Sequence, residues 1–179
     1  MNETIKDMQE EMLADAVKVQ QHFMNIAENE GYWCRKATHD EDVFEHWDVL
    51  MIKSPERLRA DVKNEKLVTK LHDCTWIETQ NVNGNTGWLY GKADGIVFEK
   101  SDRFIYVDIE GIRKVYNELV SDEDKRTLIF GGDTKPENTL DLLYKRYYRM
   151  GLVDQKRMDI VVLIRFSDME KYILKTFMK

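Results

Sequence analysis

Proline and glycine are scarce, at 2 and 9 of 179 residues. That excludes collagenous, linker-like and low-complexity character, and no internal repeat is present. The two cysteines, Cys34 and Cys74, lack a CxxC spacing and a matched His/Cys set. They read as free thiols of a reducing compartment, not as a zinc site or a disulfide framework. His22, His39, His46 and His72 contain no HExxH pair, which argues against a zinc enzyme. No serine sits in a G-x-S-x-G elbow, and the run Gly131 to Lys135 lacks the spacing of a phosphate loop. The stretch MNETIKDMQEEMLADAVK is charged throughout, so neither a signal peptide nor a membrane span is expected there, and the expected location is cytoplasmic. Positive charge is also short, with 27 Lys and Arg against 33 Asp and Glu, a net −6. A protein that coats nucleic acid with its whole surface is usually basic, so any such contact here must come from a local patch.

What is present suits one folded domain. Ile5, Met8, Met12, Ala16, Val19, Phe23 and Ile26 recur at three- and four-residue spacing, which predicts a helix over about 4–30 that stops at Asn29 and Gly31. A first strand follows from Gly31, then a polar connection, His39 to Glu45. Trp47–Ile52, a turn within Lys53–Arg57, and Arg57–Lys63 read as a hairpin. Thr75–Asn81 alternates as a third run, turn residues follow at 82–87, and Trp88–Tyr90, Asp94–Phe98 and Arg103–Asp108 read as a meander of further strands, with Asp94 and Asp108 at strand ends where turns favour aspartate. A second helix fits Ile109–Leu119. Beyond it the sequence predicts a short strand at Thr127–Phe130, a helix over Pro136–Tyr148, a strand over Arg157–Arg165, and a last helix capped at Ser167–Glu170. The order gives an α/β class, an α+β arrangement with a mixed sheet.

The hairpin carries the chemistry. Residues i and i+2 share a strand face, so Asp61 and Lys63 point the same way. Asp48, at the head of the partner strand, lies across the ladder from them. Carboxylates so grouped hold a hard divalent cation through oxygen, and without one they repel. Such a cation polarises a phosphoryl group, and a lysine beside it orients water or stabilises charge. The plain alternative is ordinary surface decoration of a hairpin by acids and a lysine.

The pattern W-D-(x)12-D-V-K, after a long helix and a first strand, resembles the PD-(D/E)XK nuclease superfamily, which includes type II restriction enzymes, Holliday junction resolvases and phage exonucleases. The run WIETQN(x)5GWLYGKADGIVFE is similar to small phage-type members. Trp47 stands where the motif's proline would be. The resemblance covers roughly residues 5–120 of a single nuclease-like domain, leaving about 121–179 as a C-terminal extension. It implies a restriction-endonuclease-like core, with a helix, a central mixed sheet and C-terminal helices, one acid on the second strand and an acid-x-lysine on the third. It further implies DNA phosphodiester hydrolysis with Mg²⁺ or Mn²⁺ and, if the chain assembles as resolvases do, a homodimer. Asp48, Asp61 and the Val62 carbonyl would hold the metal, Lys63 would position water, and Glu78 and Gln80 would assist from the next strand. A second register, with Asp61 as first acid and Glu78-x-Gln80 in place of acid-x-lysine, stays open.

Basic residues form the expected substrate path. Arg57, Arg59 and Lys66 lie in or beside the hairpin, and Lys145, Arg146 and Arg149 are interleaved with Tyr144, Tyr147 and Tyr148. Such groups track phosphates and stack on unpaired bases. A solvated face with tyrosines in the core is the alternative. Three functions remain open: a metal-dependent DNA nuclease, a catalytically inactive domain of the same fold binding DNA or a protein partner, and a hydrolase of another kind.

Overall fold

Helix α1 (Glu3–Asn29) ends where Gly31 takes a left-handed conformation, φ 90°. The Gly31 N–H donates to the Glu28 carbonyl and the Tyr32 N–H to the Ala27 carbonyl, closing the last turn. In this computed structural model residues 3–65, 72–81, 83–120, 126–129, 139–150 and 158–179 are described, with side chains at all but 3–10, 126–129, 139, 148–150 and 158. The chain divides into two compact units, one of residues 1–65, 91–109 and 172–179, the other of 66–90 and 110–171.

The first unit holds a six-stranded mixed sheet in the order β1 (Trp33–Lys36), β2 (Val49–Lys53), β3 (Glu56–Lys63), β5 (Gly95–Glu99), β6 (Arg103–Asp108), β10 (Ile173–Met178). Only β3 and β5 run parallel; the other neighbours are antiparallel. Alternate residues of each strand face α1: Val49 and Met51, Ala60 and Val62, Val97, then Phe104, Tyr106 and Phe177 close on Phe23, Met24 and Ala27. Each large side chain buried there contributes roughly 1.5–3 kcal/mol. Among the described side chains of the expected α1 stripe, those toward its C-terminal end join this core. Val19, Phe23 and Ile26 pack, whereas Met12 is 58% exposed.

The second unit holds a four-stranded sheet, β4 (Cys74–Gln80), β9 (Met158–Arg165), β8 (Arg146–Met150) and β7 (Arg126–Ile129). Its apolar run Ile160–Ile164 is buried throughout, as a strand between two neighbours and covered on both faces requires. Helix α2 (Ile109–Leu119) has the bounds expected from sequence.

Several expectations are corrected. The segment to Tyr148 is not a helix: a 3-10 turn, Thr139–Leu142, leads into β8 (Pro136 to Asn138 lie outside the described residues). Tyr147 is buried against Trp76, and the segment gains ladder bonds on both sides, which outweigh its helical spacing. Trp88–Tyr90 is a 3-10 turn, not a strand. The last helix is one turn, α3 (Phe166–Met169), whose cap position is Arg165; the chain then forms β10 against β6. The third run, β4, belongs to the four-stranded sheet, whereas β5 and β6 are neighbours in the six-stranded one. Among the described residues no helix is long and apolar enough to cross a membrane.

Gly95 is fixed by packing. A Cβ there would stand 2.5 Å from the Tyr106 ring and 2.6 Å from the Val107 carbonyl oxygen, and Tyr106 is fully buried. Gly95→Ala should therefore cost about 1–3 kcal/mol of stability in urea unfolding. Unchanged stability would show that Tyr106 has room to move.

Candidate metal centre on the β2–β3 hairpin

Strand pairing builds this site. Val49 pairs with Ala60 and Leu50 with Arg59, and the Asp48 N–H donates to the Ala60 carbonyl at 2.8 Å. The paired ladder ends at Val49 and Ala60, and Asp48 lies one residue beyond it, with its side chain reaching the Val62 N–H on β3 and standing close to Asp61. Because Ala60 and Val62 face α1, the alternating Arg59, Asp61 and Lys63 face away from it. The approach to Asp48 is held by Trp47, 3% exposed, whose indole N–H donates to Glu45 and whose ring lies under the Arg35 guanidinium. Arg35 in turn grips Glu41 through two hydrogen bonds, which hold the Glu41 carboxyl down to about 2. His46, between these elements, is left-handed at φ 55°.

The Asp48 carboxylate accepts the Val62 backbone N–H at 2.7 Å. Lys63 Nζ lies 2.7 Å from Asp61 Oδ1. The other Asp61 oxygen, Oδ2, is buried and meets no donor; beside it stands the Asp48 carboxyl. Burial pushes the Asp48 carboxyl up to about 8, the Asp61 charge adds to the rise, and the Lys63 charge and Val62 N–H only partly oppose it. Two carboxyl groups, one with an orphaned buried acceptor, want either a shared proton or a cation. This donor set fits a hard divalent ion, for which all-oxygen ligation is the rule. Among the described residues no group of three or more His, Cys, Asp and Glu is placed to hold a metal, so the candidate side-chain ligands among them are this pair.

The remaining expected residues fall elsewhere. Glu78 and Gln80 lie on β4, in the second unit, and a bulge between them interrupts the alternation on which their sharing a face rested. Arg57 is exposed at the start of β3. Lys66 lies outside the described residues, as does the Arg149 side chain. Lys145 precedes β8, and Arg146 is within it, its Nε buried without a partner. A strand sets positions three apart on opposite faces, so positions 146 and 149 do not share a face. Tyr147 is a core residue, and Tyr144 donates to Asp168 at 2.7 Å.

Sequence reasoning passed over Asp94 as a strand-end turn residue. It accepts three hydrogen bonds from Arg59: the backbone N–H at 2.7 Å, Nε at 3.0 Å and Nη2 at 2.9 Å. Burial alone would raise the Asp94 carboxyl, but these bonds outweigh it and hold the group below its ordinary value. The signal available was the period-two row Arg59, Asp61, Lys63, which placed Arg59 on the site face. No protein-family model matches the chain, and neither does any curated protein or solved structure.

The raised Asp48 carboxyl makes the metal-free protein sensitive to pH. The folded state keeps a proton that the unfolded chain releases near pH 4, so stability present below about pH 4 is lost as pH rises toward about 8. Glu41, Glu45, Glu56 and Asp94 are shifted down and are ionised well below pH 6, leaving the pH 6–8 limb to the Asp48 site. In chelator, stability should fall from pH 6 to 8, and Asp48→Asn should flatten that fall and be more stable at pH 8 by about 1–3 kcal/mol. Identical profiles for the two proteins would refute the assignment.

Proposed function

We propose that the chain is a metal-dependent DNA nuclease of PD-(D/E)XK type, hydrolysing phosphodiester bonds at the Asp48–Asp61–Lys63 site. The observation that carries the reading is the closeness of the Asp48 carboxyl, just ahead of β2, to Asp61 on β3, with Asp61 Oδ2 buried without a donor and Lys63 on Oδ1. The order of helix, first strand, acid at the second strand and acid-x-lysine on the third agrees with the resemblance carried by W-D-(x)12-D-V-K.

Asp48, Asp61 and the Val62 carbonyl would hold Mg²⁺ or Mn²⁺; the Val62 N–H is already used on Asp48. Bound there, the cation supplies charge stabilisation for a phosphoryl group and acidifies water. Asp48 would be held ionised and oriented by the Val62 N–H. Lys63, with its charge drawn toward Asp61 and 30% exposed, would orient water toward the phosphate or donate to an oxygen that gains charge. Glu78 and Gln80 remain assisting candidates, and a homodimer and a structured substrate such as a junction belong to the same proposal.

A second reading is an idle domain of the same fold that binds DNA or a protein. It is favoured by the net charge of −6 and by the absence, among the described residues, of a third metal-binding side chain.

The deciding experiment is cleavage of linear duplex, circular, single-stranded and four-way-junction DNA in Mg²⁺ and Mn²⁺. Cutting should require metal, vanish in Asp61→Ala, and fall roughly 10²–10³-fold in Lys63→Ala, the loss typical of one stabilising donor. No cutting by concentrated protein would leave the idle domain. Glu78→Ala and Gln80→Ala should be milder than Lys63→Ala; the reverse order would favour the second register.

A further inference from the structure

We propose that Arg59, clamped by Asp94, forms a second phosphate subsite that holds the linkage next to the one cleaved. The inference rests on the nuclease reading and adds to it which phosphate is gripped and by what.

The first argument is spacing. Arg59, Asp61 and Lys63 occupy one face of β3 at two-residue intervals, so Arg59 begins about 7 Å from the metal-binding acid along the strand. That step is of the size that separates successive phosphates along a nucleic-acid strand. A backbone laid along β3 with one phosphate at Asp61 and Lys63 brings its neighbour to position 59.

Hydrogen-bond capacity gives the second argument. A guanidinium has five N–H donors. Asp94 takes one from Nε and one from Nη2, and Nη1 meets no acceptor among the described residues. Asp94 is itself fixed, because one of its oxygens also accepts the Arg59 backbone N–H and its own N–H donates to the Arg59 carbonyl at 2.8 Å. The clamp therefore holds the planar group by one edge and leaves the opposite edge of a side chain 35% exposed. A fixed fork with a free edge suits bidentate contact with a phosphate, and rotamer freedom is lost before binding rather than during it. A guanidinium meant only to bury an ion pair needs no free edge.

The expected acceptor is a negatively charged non-bridging phosphate oxygen, so removing that charge tests the contact directly. Wild type, Arg59→Ala, Arg59→Lys and Asp94→Asn would be compared in Mg²⁺ on oligonucleotides, unmodified or with one uncharged methylphosphonate at the linkage on either side of the cut. In Arg59→Ala, KM should rise roughly tenfold with kcat little changed, and the salt slope should be shallower by about one. On one side of the cut, the methylphosphonate should weaken the wild type to a similar extent and add little to the loss in Arg59→Ala. Asp94→Asn should raise KM by a smaller factor, as a loosened clamp predicts, and Arg59→Lys should recover part of the affinity. Equal interference by the methylphosphonate in wild type and in Arg59→Ala would overturn the subsite while leaving the nuclease intact. Should Arg59→Ala fail to fold, equal interference in wild type, Arg59→Lys and Asp94→Asn would do the same. A wild type that cuts no DNA would remove the nuclease reading, and the subsite with it.

Discussion

Two carboxyl groups, Asp48 just ahead of β2 and Asp61 on β3, stand close together, and the organisation of the first unit follows from keeping them there. Like charges held close together are destabilising, and partial burial raises that cost by weakening solvent screening. Among the described residues, the cation placed on the pair is Lys63, on Asp61 Oδ1, and the backbone donor to the Asp48 carboxylate is the Val62 N–H. The two contacts satisfy one oxygen of each group. What remains, the buried Asp61 Oδ2 and a carboxyl raised to about 8, is a deficit of positive charge that a core built for stability alone would have removed by substitution.

The scaffold that keeps the pair in place is apolar on its other face. Ala60 and Val62 on β3, and Val49 and Met51 on β2, are locked against α1. A slip of one residue would send these four toward the site and the acids into the core, so register is enforced by burial. Gly95 allows Tyr106 to lie flat over β5 beside β3, and the parallel pairing of β3 with β5 puts Asp94 beside Arg59. Trp47 anchors the chain immediately before Asp48. The same packing that fixes α1 on the sheet thus fixes where the acids, the lysine and the arginine stand.

Local period was the legible part. Alternation identified the hairpin, β6 and the row Asp61, Lys63, and helical spacing identified α1 and α2, because in each the buried face is written within a few residues. Pairing between distant segments was not legible. Nothing near Glu78 states that β4 joins β9, and nothing near Ile173 states that the last segment pairs with β6. The 136–148 segment carried a helical spacing that β7 and β9 overrode by pairing with β8. Asp94 was discounted because a strand-end aspartate usually serves its own turn, whereas here it serves an arginine thirty-five residues away.

The net charge of −6 looks unfavourable for a phosphate substrate, yet its distribution matters more than its total. Around the hairpin many acids are already matched: Glu41 with Arg35, Glu45 with Lys92, Glu56 with Lys175, Asp94 with Arg59 and Glu99 with Lys179. Matched surface pairs contribute little stability each, but they cancel field at the range over which a phosphate approaches. At the candidate site one lysine stands against Asp48 and Asp61, and the raised Asp48 carboxyl keeps a proton when no cation is bound. A divalent ion there would displace that proton and leave net positive charge where the proposed phosphate would sit. The anion would then be attracted to the site itself and not to the surface at large, which is how an acidic chain could engage a polyanion selectively.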